Sequence, residues 1–455
     1  MRRLSRRSFL ASSAAVLTAA PALAAPRPAP APEVPRSGWV DAVIVGAGAA
    51  GIAAGRRLAA ARKQFVVLEA ADQVGGRCIT DTKTFGIPYD RGAHWIYAAD
   101  INPLAKLAVQ SGLDIYAAPP GQRVRIGRRY ARESEMEDFL SSLVRANTAI
   151  ADAARKSDVA CTQVLPKDLG ERRPTIEFVL GPYGCSKELA DVSTADLSRS
   201  GERDNGAFCR QGFGALLAKL AAPLPLLLAT PVKTIEWWSR ARIEVDTPKG
   251  QFKTSAVIIT VSTNVLTSGK IKLAPDLPKR HLDAAAKLKL GSRDHVALEL
   301  TGNLLGLRAD ELVFEKSESR QTAAIFGNMG GSTICVVDVG GSFGRDLSAK
   351  GEAAMIDFAI NWLGGLYGAD MKSAVKRRHA TRWNNEPWVL GAISAAAPGA
   401  QSSRKVLAEP LSGRIFLAGE ATHETLWGSV NGAWESGERA ADAVVKLLGG
   451  PSKRL

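Results

Sequence analysis

Val43-Ile44-Val45-Gly46-Ala47-Gly48-Ala49-Ala50-Gly51, an alanine-rich run to Arg62, and then Phe65-Val66-Val67-Leu68-Glu69 decide the fold of this chain. The first three residues are β-branched and apolar, the pattern of a strand buried on both faces. The glycines follow at once, each with its own task. Gly46 permits a tight turn, Gly48 lets the backbone approach a pyrophosphate, and Gly51 lets helix and strand pack closely. Free N–H groups at the start of the alanine-rich helix attract phosphate. Phe65-Val66-Val67-Leu68 reads as a second buried strand, and Glu69 at its end can accept the ribose hydroxyls of an adenosine. A glycine-rich turn in an ordinary α/β domain is the plainer alternative. It does not account for the strand before, the helix after and the acid about 20 residues on.

Val74-Gly75-Gly76-Arg77 indicates which dinucleotide is bound. Two glycines allow a second loop to approach the cofactor, and Arg77 offers a fork of donors for phosphate or carboxylate. No second Gly-x-Gly-x-x-Gly follows a strand, so a separate nicotinamide domain is not expected. The bound nucleotide is expected to be a resident FAD, reduced directly by substrate.

Four stretches now carry a resemblance: residues 46–69, Gly75-Gly76-Arg77, Asp90-Arg91-Gly92-Ala93-His94-Trp95-Ile96, and residues 415–437, with Ala418-Gly419-Glu420 and Gly428-Ser429-Val430-Asn431-Gly432. Together they resemble the flavin-containing amine oxidase family. The resemblance implies an α/β fold, α+β in its whole composition, with a Rossmann-type FAD-binding domain and an interleaved substrate domain of mixed sheet and helices. It implies cofactor contacts from Gly46, Gly48, Ala49, Ala50, Gly51, Glu69, Ala70, Gly75, Gly76, Arg77, Gly92, Ala93, His94, Trp95, Val232, Gly419, Glu420, Ser429 and Val430. It places His295, Ile393, Ser429 and Trp383 at the reacting end.

The sequence departs from the family's pattern at that end. A lysine usually stands in a Leu-Gly-x-x-x-Lys-Val segment near the flavin, and Leu290-Gly291-Ser292-Arg293-Asp294-His295-Val296 puts His295 there. The two aromatic rings that flank the amine in monoamine oxidases correspond to Ile393 and Ser429. The position of a flavin-linking cysteine corresponds to Ala392, so FAD is expected to be non-covalent. His94 and Tyr97 either line the entrance or simply pack.

The chain divides accordingly. Residues 39–100, 205–265 and 405–449 are expected to form the FAD-binding domain, and 101–204 with 266–404 the substrate-binding domain. Helical periodicity is expected over 101–118, 134–155, 215–222, 352–367 and 433–448, the last beginning near Val430. Strands are expected over 231–235, 241–245, 256–261 and 411–418, with a sheet from alternating runs such as 295–300.

Ser5-Arg6-Arg7-Ser8-Phe9-Leu10, a mildly apolar stretch and Ala22-Leu23-Ala24 read as a twin-arginine signal over 1–24, with a Pro/Ala-rich linker over 25–38. This predicts engagement of the twin-arginine translocase, a periplasmic location and no stable membrane insertion. Without Arg2, Arg3, Arg6 and Arg7 the formal charge falls from +14 to +10. No aromatic-interleaved basic stripe accompanies that charge, so no nucleic-acid partner is expected. The charge also weighs against polyamine substrates. The five cysteines lack Cys-x-x-Cys spacing, so no metal site is expected. Cys161, Cys185 and Cys209 are left as a disulfide candidate or as buried thiols.

The activity implied is oxidation of an amine, amino acid or polyamine to an imine, with electrons passed to O2 or a periplasmic redox protein. The alternatives are a flavin-binding protein without turnover and a flavin desaturase acting on an apolar substrate. No serine or cysteine stands beside a histidine in a hydrolase motif.

Overall fold

A computed structural model describes residues 37–201, 205–368 and 370–449. The signal and almost all of the linker lie outside the described residues. No described helix is long and apolar enough to cross a membrane.

The strand Gly38–Val45 is central. Ala42 and Ile44 enter one apolar cluster, and Val40, Val43 and Val45 enter another. Alternate side chains thus face covered layers on both sides, as the β-branched run requires. The strand pairs in parallel with Phe65–Leu68 on one side and with Gly250–Ile259 on the other. Ile415–Leu417 adds to Gly250–Ile259, again in parallel. The helices Ala49–Ala60, Phe213–Ala221 and Val430–Leu447 contribute Ile52, Leu58, Leu216, Trp434 and Val444 to the first cluster. This is a Rossmann-type α/β layer arrangement.

A second sheet runs in the order Val375–Ala380, Arg293–Leu300, Ile334–Gly340, Ala324–Gly327, Glu311–Glu315, Arg123–Ile126, Arg129–Tyr130. Val296, Leu298 and Val337 face the helix Glu352–Tyr367, packing with Met355, Ile356 and Leu363. Ala297 and Val336 face the other way, toward Phe85, Tyr89, Phe208 and Phe326. His295 and Asp338, two positions along from these, share that second face.

Two expectations are corrected. The helix expected over 101–118 ends at Gln110, and Ile115–Ala117 is instead a strand paired with Ala207–Cys209. Gly112, at φ 73°, takes the left-handed turn that stops the helix. Lys272–Ala274, assigned to the substrate half, pairs with Thr234–Glu236 and joins the nucleotide sheet. The boundary at residue 265 therefore does not separate the two sheets. All five cysteines are free and buried, which resolves the disulfide question toward thiols.

Candidate FAD and amine site

A cleft of about 320 Å³ runs from the C-terminal ends of the parallel strands to the front face of the second sheet. At its nucleotide end stand Gly46, Gly48, Ala49, Ala50, Glu69, Ala70, Gly75, Gly76, Arg77 and Val232. Gly48 opens the helix Ala49–Ala60 and gives it no side-chain cap. The first-turn N–H groups are thus left for something else to satisfy. Glu69 Oε2 accepts from the Ala47 N–H at 2.6 Å and Oε1 from the Ala71 N–H at 2.9 Å. Each oxygen keeps one acceptor site. Burial pushes the Glu69 carboxyl upward, while these backbone donors oppose it.

The glycines discriminate between fold and ligand. A Cβ on Gly51 would lie 1.9 Å from the Gly46 carbonyl oxygen, so the fold itself demands glycine there. A Cβ on Gly48 would meet nothing closer than Gly75 and Gly76 atoms at 4.0 Å, and Gly48 has an ordinary φ of −76°. Nothing among the described residues requires glycine at 48. The space a side chain would fill opens on the cleft, which fits a pyrophosphate of FAD.

Farther along, Gly92, Ala93, His94, Trp95, Trp383, Ala392, Ile393, Gly419, Glu420, Ser429 and Val430 line the walls. Two functional assignments change in detail. The Ser429 hydroxyl donates to the Leu426 carbonyl at 2.6 Å and caps the Gly432 N–H at 3.1 Å. It fixes the start of Val430–Leu447, whose positive end faces the cleft. Arg77 donates to Glu420 at 2.9 Å and to the Ala392 carbonyl at 2.5 Å. One arm of the fork read as a ligand donor, Nη1, thus serves a protein carboxylate, and Arg77 still lines the cleft. Glu420 also accepts from the Ser394 hydroxyl at 2.6 Å and the Gly428 N–H at 2.8 Å. Against its burial, Arg77 and Arg404 hold its carboxyl below the usual range. Arg404 and Asp196, both fully buried, pair at 2.6 and 2.7 Å behind Ser394. Neither residue stands in a motif, and no sequence signal joins them.

Among the described residues, Cys78 is the one cysteine lining the cleft. Its thiol lies 3.5 Å from the Ala93 carbonyl, and burial pushes its pKa well up. It is protonated and a poor nucleophile. Both it and Ala392 fit a non-covalent cofactor.

At the far end, His94, Trp95, Tyr97, Arg293, His295, Trp383 and Ile393 surround the space. Trp383 is buried, and its backbone N–H donates to Asp294 at 2.8 Å. The His94 Nδ1 lies 3.2 Å from the Gly92 carbonyl, and burial pushes this imidazole down to about 3. His295 sits 5.6 Å from it, ring to ring, and burial depresses its pKa as well. Arg293 donates to Asp338 at 2.8 Å and to the Tyr183 carbonyl at 2.9 Å. Arg293 and Asp338 were not singled out from sequence. Period-two spacing in Arg293–Leu300 would have placed Arg293 beside His295, but Asp338 arrives only through strand pairing.

Comparisons with known proteins agree with this geometry. Residues 49–445 match the family described as flavin containing amine oxidoreductase. The lysine-specific histone demethylase 2 of Homo sapiens is 25% identical over 446 residues, covering 88% of this chain and 53% of that protein. Polyamine oxidase 4 of Oryza sativa subsp. japonica is 26% identical over 442 residues, covering 89% of this chain and 88% of that one. The chain spans about half the length of the demethylases it matches. Among solved structures, a putrescine oxidase double mutant superposes with a TM-score of 0.76 at 19% identity, covering 90% of this chain and 100% of the other. Cyclohexylamine oxidase from Brevibacterium oxydans gives 0.75 at 19%, covering 90% and 99%. From the glycine cradle through the capped final helix, this chain belongs to the flavin containing amine oxidoreductase family.

Proposed function

We propose that the protein oxidises the C–N bond of a primary or secondary amine to an imine with non-covalently held FAD. The observation that carries this reading is the room left at Gly48, beside Glu69 and two helix N-termini, in the same cleft as an aromatic end. FAD, when bound, supplies the two-electron acceptor. The chain supplies position and environment. Glu69 holds ribose, and the helix Ala49–Ala60 presents N–H groups to phosphate. The N-terminus of Val430–Leu447 favours negative charge at the reacting end. Trp95, Trp383 and Ile393 exclude water there. His94 is neutral at physiological pH, so it offers an entering amine no charge, and the buried wall favours the amine in its neutral form. That form has the lone pair that oxidation needs.

The electron acceptor is O2 or a redox protein, and an amino acid or polyamine remains within the substrate class. Export to the periplasm through the twin-arginine translocase is supported by Ser5-Arg6-Arg7-Ser8-Phe9-Leu10. Replacing Arg6 and Arg7 together by Lys should leave FAD-loaded precursor in the cytoplasm, read by fractionation. Unchanged periplasmic yield would assign the segment to another route. The chemistry is tested by incubating FAD-loaded protein with amines and trapping the aldehyde that an imine releases in water. FAD should leave on denaturation. Absence of carbonyl product across monoamines, amino acids and polyamines, with either acceptor, would contradict the proposal.

A further inference from the structure

His295 and Asp338 form a pair that the family resemblance does not supply. They stand opposite one another in the antiparallel pairing of Arg293–Leu300 with Ile334–Gly340, both pointing to the cleft side of the sheet. His295 Nε2 lies 3.6 Å from Asp338 Oδ1, beyond hydrogen-bond length but well within Coulomb reach. The other carboxylate oxygen takes the Arg293 guanidinium at 2.8 Å. A carboxylate only accepts, so the favoured tautomer carries its proton on Nε2 and leaves the lone pair on Nδ1. That Nδ1 is buried and has no hydrogen-bond partner among the described residues.

We propose that His295 takes up a proton at Nδ1 when the bound flavin is reduced, and that Asp338 is the positioning residue that fixes its tautomer and stabilises the resulting imidazolium. This rests on the flavin reading above. Two electrons come from the amine, and reduction adds negative charge to the cleft that His295 lines. One proton from solvent then forms the Nδ1–H bond, while Nε2–H stays toward Asp338.

The surrounding charges suit that coupling. On its own strand His295 has Arg293, whose charge Asp338 already balances. From the Gly92–Trp95 segment it faces His94, and from Val375–Ala380 His379; burial holds both imidazoles below their ordinary range. Asp294 belongs to the opposite face of the strand, where it accepts from Thr381 and Trp383. Among the described residues Asp338 is therefore the one anion beside His295. Burial keeps His295 neutral at rest, with Asp338 opposing. Added negative charge tips that balance toward protonation.

The test is the midpoint potential of the flavin in the FAD-loaded full chain as a function of pH, for wild type, His295→Gln and Asp338→Asn. One extra proton per two electrons changes the equilibrium constant tenfold per pH unit, about 30 mV. Somewhere between about pH 5 and 8 the wild type should be steeper than His295→Gln by up to that amount. Asp338→Asn should move the steep region to lower pH. Equal slopes in wild type and His295→Gln would overturn the proposal, and an unmoved region in Asp338→Asn would remove Asp338 from it. If Asp338→Asn does not fold, proton uptake on photoreduction, read with an indicator dye in wild type and His295→Gln, decides instead; equal uptake overturns the pair. A wild-type chain that holds no flavin would end the flavin reading itself, which is a separate and visible failure.

Discussion

At Gly48 an absent side chain separates what the fold needs from what a ligand needs. Gly51→Ala should destabilise the protein by about 1–3 kcal/mol, since its Cβ would collide with backbone at 1.9 Å. Gly48→Ala should leave apoprotein stability within about 0.5 kcal/mol of wild type. It should nevertheless weaken FAD retention tenfold or more, about 1.4 kcal/mol. Chemical denaturation and FAD titration of both variants check this, and equal FAD affinity in Gly48→Ala and wild type would contradict it. Glu69→Ala removes a charged acceptor and should cost about 1–3 kcal/mol of FAD affinity by the same titration. These residues were legible because their tasks are local: a turn, a helix start and a strand end lie within one short stretch. His295 was legible only as a position. Its depressed basicity and its neighbours Asp338 and Arg293 come from burial and strand pairing, which a sequence does not display.

Between elements, two buried carboxylates join parts of the chain that no motif connects. Asp196 pairs with Arg404, which reaches Ser394 and thence Glu420 and Arg77. Asp196→Ala leaves a fully buried guanidinium without its partner and should cost about 3–5 kcal/mol in urea unfolding. A loss below about 1 kcal/mol would show the network to be incidental. Asp90 accepts the Phe213 N–H at 2.8 Å and the Gly214 N–H at 3.2 Å. It thereby caps Phe213–Ala221, whose own N-cap, Gly212, has no side chain. Burial raises the Asp90 carboxyl from its ordinary value to about 6. The folded state thus binds this proton more tightly than the unfolded chain. Its contribution is fully present below about pH 4 and is lost as pH rises through about 6. Stability of wild type relative to Asp90→Asn should fall over that window by up to about 3 kcal/mol. A flat difference between the two proteins would place the Asp90 carboxyl elsewhere. The long helices Glu133–Ala154 and Glu352–Tyr367 were legible from periodicity, and the central strand Gly38–Val45 from its β-branched run Val43-Ile44-Val45. Ile115–Ala117 and Lys272–Ala274 were not, because strands of three residues are defined by the partner they pair with.

In the whole molecule, two sheets built on different rules meet at one cleft. The nucleotide sheet follows short-range signals and was largely readable. The second sheet supplies the reacting end through Arg293, His295 and Asp338, which come together only across paired strands. That difference explains why the cofactor half of the site was read from motifs and the substrate half from resemblance. It also sets what a substrate meets: aromatic walls, a neutral histidine, and an arginine already committed to an aspartate. Among the described residues, none of His94, Trp95, Tyr97, Arg293, His295, Trp383 and Ile393 offers a carboxylate to a distal ammonium, although Glu386 also lines the cleft. Compact monoamines should therefore be oxidised with higher kcat/KM than polyamines of similar length, by at least tenfold, in steady-state assays. Equal or reversed preference would contradict this account of the wall. The most direct measurement is anaerobic: purified, FAD-loaded protein is titrated with monoamines, amino acids, polyamines and apolar ring compounds while its visible absorption is followed. The account predicts that an amine bleaches the flavin with one equivalent per bound FAD. A flavin that no amine bleaches, or that only an apolar compound without an amine bleaches, would contradict it.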